Sequence, residues 1–212
     1  MAEHTFEQTR QTLHGVAELV LAGPQYAQER TIRLRVTPGG FGTVRTPHLR
    51  VEKLELVSPT ARVPLRGTFA SLARAAGVEA RPLREVYSGG PAVDPDGPVV
   101  LDAKAVEVLL QALADGDTAL RGFAPDQEPV LWPEHFDLAI SVAEANFGVS
   151  LGDTSIPEPY AYVGPWSPRE GTFWNAPFGA TRTLSSEVSD VASLIEFFRE
   201  GAQRAADDRT QT

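Results

Sequence analysis

Near the N-terminus, apolar residues recur at helical spacing: Phe6, Leu13, Val16, Ala17, Val20 and Leu21 oppose Glu7, Arg10, Gln11 and Glu18. The pattern predicts an amphipathic helix that ends near Gly23-Pro24, because glycine followed by proline is a strong stop signal. The next segment, TIRLRVT, alternates strictly. Ile32, Leu34 and Val36 share one face, while Thr31, Arg33, Arg35 and Thr37 share the other, as in a half-buried strand. Pro38-Gly39-Gly40 predicts a loop after it.

A second strand is expected over 48–57, with Leu49 and Val51 on one parity and Leu54 and Leu56 on the other. A one-residue change of phase suggests a β-bulge near Lys53. Residues 62–65 read as a short pairing strand. Thr68 is placed to cap a helix carrying Phe69, Leu72 and Ala76, which Gly77 ends. Residues 79–98, rich in proline and glycine, read as a connection. A domain boundary there would leave neither half with enough core, so a single domain over 1–212 is expected. Asp102 caps a long middle helix with Val106, Leu109, Leu110, Leu113 and Leu120 inward, ending near Gly122. Three short strands are expected in the proline- and tryptophan-rich stretch from Pro125 to Pro177, in FDLAISV, FGVSLGD and PYAYVGPW. A C-terminal helix starting near Ser189 presents Val191, Ala192, Leu194, Ile195 and Phe198, and the tail from about 206 should fray. The predicted class is α+β: a mostly antiparallel sheet with an N-terminal helix, a long middle helix and a C-terminal helix packed on it.

Composition then removes several functions. The charge is −9, which argues against a general nucleic-acid binder and against docking on anionic membranes. Cysteine is absent, which excludes disulfides, thiol nucleophiles and thiolate metal sites. The first residues do not read as an export signal, and no run approaches the roughly 20 apolar residues needed to span a bilayer. A cytoplasmic location is the default expectation. With four histidines and no metal-ligand spacing, neither a metal nor another cofactor is expected. PGGFG lacks the lysine and spacing of a phosphate loop, and no GxSxG elbow occurs.

Candidate chemistry concentrates between Trp132 and Trp166. In an extended strand His135 and Asp137 share a face, opposite Phe136, Leu138, Ile140 and Val142, and lie roughly 7 Å apart along the backbone. Asp137 would then orient the imidazole as a general base, although His135 could equally bond a neighbouring backbone group. Asn146, Ser150 and Asp153 lie beside Gly148 and Gly152, where small polar groups line a pocket mouth or simply make turns. Glu158, Tyr160 and Tyr162 share parity and offer one carboxylate and two phenols in a row. Trp132 and Trp166 would supply either core or rigid pocket walls.

TIRLRVTP, WPEHFDLA, FGVSLGD, PEPYAYV and SLIEFFREG, in this order, resemble an uncharacterised bacterial family catalogued as domain of unknown function 5996. The resemblance runs over roughly residues 5–205, and its most specific pieces are the FDLA and EPYAY strands. It implies a shared fold and a shared cleft, with Asp137 better supported than His135, and it implies no substrate. The expected function is small-molecule binding in a pocket built from residues 132–166. The alternatives are a small-molecule enzyme using His135 and Asp137, with Glu158 or Tyr160 as acid, and a protein-interaction module.

Overall fold

The computed structural model describes residues 3–184 and 190–207. The expected helix start at Ser189 and the end of the tail lie outside the described residues. Contacts gather into two compact units, Met1–Ala114 with Leu131–Phe136, and Asp115–Val130 with Asp137–Thr212. The division falls inside the long middle helix, not in the proline-rich connection at 79–98. The class is α+β, with antiparallel strand pairing throughout the pairs described below.

The first unit is built on its N-terminal helix, which does not stop at Gly23-Pro24. An α-helix, α1 (Glu3–Gly15), widens into a π-helix (Val16–Ala22) and continues as α2 (Gly23–Glu29). Proline in an ordinary helix interior clashes with the preceding turn and removes a donor. Here the widened turn carries the register past it: Gly23 donates to Glu18 O, five residues back. Pro24 would leave Leu19 O without a donor in that pattern, and Arg81 N–H takes the place at 2.8 Å. Gly23 is required for the same approach, since a Cβ there would collide with Arg81 O. The dipeptide is thus the docking point of a distant segment. Every residue of the π-helix is buried.

The sheet of this unit runs β6-β1-β2-β3-β4-β5, with β1 Leu34–Thr37, β2 Gly40–Thr43, β3 Arg50–Glu52, β4 Glu55–Val57, β5 Arg62–Pro64 and β6 Val130–Trp132. The expected loop at 38–40 is only a two-residue turn. Thr37 pairs with Gly40 across Pro38 and Gly39, whose φ of 72° glycine adopts freely. The expected bulge at Lys53 is instead a hairpin, with Glu52 opposite Glu55 and Lys53 at φ 56°. Reversing the chain resets the parity just as a bulge would, which is why the pattern alone misled. Leu34, Phe41, Val51 and Leu56 lie on the buried face. Gln25, fully buried, staples two loops: its amide donates to Thr31 O and Arg33 O and accepts from Val44 N and Arg45 N. Thr68 closes a capping box on α3 (Phe69–Ala75), and Asp102 Oδ1 accepts from Ala105 N at the start of α4 (Ala103–Phe123).

In the second unit the order is β10-β9-β8-β7: β7 Asp137–Val142, β8 Ala145–Ser150, β9 Tyr160–Pro165 and β10 Ala180–Thr183. Leu138, Ile140, Phe147, Val149, Ala161 and Val163 form an apolar face. The C-terminal helix α5 (Val191–Asp207) packs on it through Leu194, Phe197, Phe198 and Gly201. A Cβ on Gly201 would lie 2.6 Å from Val163, so glycine sets how closely helix and sheet approach. Phe123, Phe147 and Phe198 interlock there with centroids 4.7–6.2 Å apart. Among the described residues, no helix is long and apolar enough to cross a membrane.

Leu34→Asp should unfold the first unit, because it buries a charge whose cross-strand neighbour, Thr43, already gives its hydroxyl to Pro47 O. Thermal melting of the soluble fraction checks this. Arg35→Gln on the opposite face should melt within about 1 °C of the parent.

Candidate functional site

The second unit's sheet has two chemically different faces. Opposite its apolar side, the register sets Asp137 beside Ser150 and Tyr160, and Ala139 beside Gly148 and Tyr162. Thr183 and Thr181 continue these rows on β10. Asp137 is only 9% exposed. Tyr162 Oη donates to Asp137 Oδ2, reaching from β9 over β8 to β7. Gly148 allows this crossing: a Cβ there would lie 2.6 Å from the Tyr162 hydroxyl. Burial of the ring, reinforced by the Asp137 charge, holds the Tyr162 phenol well above its ordinary pKa. It therefore stays protonated and acts as a donor.

Tyr160 lies beside Tyr162, with centroids 6.4 Å apart, and donates to Asp153 Oδ2 at 2.7 Å. Burial first, then this bond, pushes the Tyr160 phenol up to about 12. Asp153 Oδ1 accepts from Ser155 N and Ile156 N, so this aspartate organises a turn. Ser150 Oγ similarly accepts from Gly152 N. At the other end of the face, Asn146 Oδ1 accepts from Ser141 Oγ at 2.8 Å and from Trp166 Nε1 at 3.3 Å. Trp166 is 65% exposed and Phe178 48% exposed, the latter meeting Tyr162 edge to face. Asp137, Asn146, Ser150, Tyr160, Tyr162 and Trp166 thus belong to one face.

Other expected residues fall elsewhere. His135 is not on the strand, which begins at Asp137. Residues 133–136 form a turn with Phe136 at φ 53°. The parity argument that placed the imidazole beside Asp137 therefore fails. His135 is exposed, with Glu134 Oε1 at 4.0 Å. Trp132 belongs to the first unit, where Arg33 lies over its ring. Glu158 is exposed and precedes β9. Among the described residues, no group of three or more His, Cys, Asp or Glu side chains is arranged to hold a metal.

The sequence reading missed a polar cluster in the first unit. Glu18, on the π-helix, accepts from Leu83 N at 3.2 Å and Tyr87 Oη at 2.9 Å, and Gly90 leaves no room for a Cβ beside its carboxylate. Burial raises its pKa. His14 hydrogen-bonds Pro133 O through Nε2 at 2.7 Å and stacks on Phe136. Burial holds its pKa down to about 4. The sequence pattern places Glu18 on the polar side of an amphipathic helix; the only sequence sign against that is the density of apolar residues around it.

Asp137→Asn retains an acceptor for Tyr162 and should melt within a few degrees of the parent, whereas Asp137→Leu strands a buried hydroxyl and should cost about 1–3 kcal/mol in urea unfolding. His14 gives a pH dependence of definite sign. Its stabilisation is fully present above its ordinary pKa of 6.5 and is lost as pH falls through 6.5 towards about 4, where the unfolded chain takes a proton that the folded chain refuses. The slope attributable to it is at most about 1.4 kcal/mol per pH unit, and His14→Gln should remove it from urea midpoints measured across this window.

Compared with known proteins, the chain matches no protein-family model, no curated protein and no solved structure.

Proposed function

We propose that this chain binds a small polar molecule, uncharged or cationic, against the polar face of the β7–β10 sheet. The observation that carries this reading is the Tyr162–Asp137 pair laid across Gly148. A carboxylate and phenol are oriented there on a face that also presents Asn146 and the exposed ring of Trp166. No lysine or arginine stands on the strand positions of this face, since Arg182 points to the other side and lies over Phe197. An anion would meet only acidic and neutral groups. A polyol or an amine would find an acceptor at the exposed Asn146 and an aromatic surface at Trp166.

Binding is favoured over acid–base catalysis because His135 sits in the exposed turn and Tyr162 holds its proton. Kinship with domain of unknown function 5996 belongs to the same proposal, supported by the FDLA and EPYAY strands that supply Asp137, Tyr160 and Tyr162. So does a cytoplasmic setting, supported by the absence of cysteine.

The test is a thermal-shift screen of neutral, cationic and anionic metabolites on the purified chain. A ligand at about 100 times its Kd stabilises by about 2.7 kcal/mol, a shift of several degrees. Hits at this face should be neutral or cationic, and Tyr162→Phe or Trp166→Ala should reduce their shifts. Hits confined to anions, or shifts unchanged in both variants, would count against this face.

A further inference from the structure

The solvent-facing side of the first unit's sheet carries a charge pattern opposite to that of the whole chain. From β1 outward, Arg35 stands opposite Gly42, which stands opposite Arg50. Next to Arg35 on the same face is Arg33. The pairing of Leu34 with Leu131 sets Arg33 across from Trp132, and its guanidinium carbon lies 5.7 Å from the indole centroid. The arginines towards β5 are neutralised: Glu52 bonds Arg50 at 2.9 Å and Arg62 at 3.0 Å, and Glu55 bonds Arg62 at 2.8 Å. Arg33 and Arg35 are different. Both are exposed, and among the described residues neither has a carboxylate within ion-pair distance.

Two unpaired arginines beside a half-buried tryptophan, in a chain of net charge −9, select an anion that also has an aromatic ring. Guanidinium groups hold phosphate oxygens in a two-point geometry, and both indole and guanidinium planes accept a stacked base. Residues two apart on a strand lie roughly 7 Å from one another on one face, a spacing that a sugar can bridge between base and phosphate. The overall negative charge opposes a long polyanion, whose affinity comes from many phosphate contacts. We propose that this face binds a nucleoside phosphate, its base stacked against Trp132 and Arg33 and its phosphate held by Arg35. The site is separate from the face of the second unit proposed above and takes the opposite class of ligand.

Adenosine monophosphate is the probe, titrated into the full chain at low salt by calorimetry, with adenosine, inorganic phosphate and a single-stranded oligonucleotide in parallel. Saturable binding of the monophosphate at about 1 mM or tighter is expected. Adenosine and phosphate alone should each bind at least about tenfold more weakly. Arg35→Gln and Trp132→Leu should each weaken the monophosphate by about tenfold, and added salt should weaken it further. Arg33 and Arg35 are exposed, so Arg33→Gln/Arg35→Gln should fold normally and carries the test if Trp132→Leu lowers the melting temperature. Tyr162→Phe should leave the monophosphate affinity unchanged. The proposal is overturned by no saturation at about 10 mM, by equal affinity in the double arginine variant, or by tighter binding of the oligonucleotide than of the monophosphate.

Discussion

A polar group buried without a partner costs about 1–3 kcal/mol, and the first unit is organised around meeting that demand along one helix. The π-helix Val16–Ala22 is buried on every side, yet it carries a carboxylate and a carbonyl freed by Pro24. Segment 81–90 supplies what they need: Arg81 N–H for Leu19 O, and Leu83 N–H and Tyr87 Oη for Glu18. One turn later, Gln25 satisfies four backbone groups from two loops. The proline-rich stretch 79–98, which has almost no regular structure of its own, is therefore fixed by the helix it crosses. Helix, connection and sheet ends hold one another through these few bonds.

The second unit meets the same demand differently. Its sheet buries one face under α5 with aliphatic and aromatic side chains, and there glycine sets the approach distance. The other face keeps polar residues, and its most buried member, Asp137, is served by a phenol from two strands away. Only a residue without a side chain at 148 lets that phenol cross. The pair is thus a consequence of strand register as much as of residue type, and it leaves a pre-formed arrangement of oxygen atoms beside exposed aromatic rings.

The charge of the chain is unevenly used. The sheet of the first unit gathers arginines on its open face, some answered by Glu52 and Glu55 and two, among the described residues, left unanswered. The polar face of the second unit gathers carboxylates, phenols and an amide. A net charge of −9 averages over these surfaces and says nothing of either. Ligand selection follows the local field of each face, because screening confines such interactions to about 8–10 Å.

The sequence by itself determined whatever rests on local periodicity and local capping. The faces of β1, the capping box at Thr68, the Asp102 cap, the long middle helix and the polar row of Tyr160 and Tyr162 were legible, because neighbours within a few residues decide them. Asp137 was legible as a candidate site residue, but the partner its spacing indicates is His135. Tyr162, 25 residues away, took that place because antiparallel pairing through β8 brings it there. Phase alone could not separate a bulge from a hairpin at Lys53, nor a strand from a turn at His135, since each gives the same alternation until the backbone turns at a positive φ. Gly23-Pro24 read as a stop because its reason for being there, the Arg81 backbone, lies 57 residues further on. Tertiary structure decided which polar groups meet, since long-range hydrogen bonds and register leave no periodic trace in the chain.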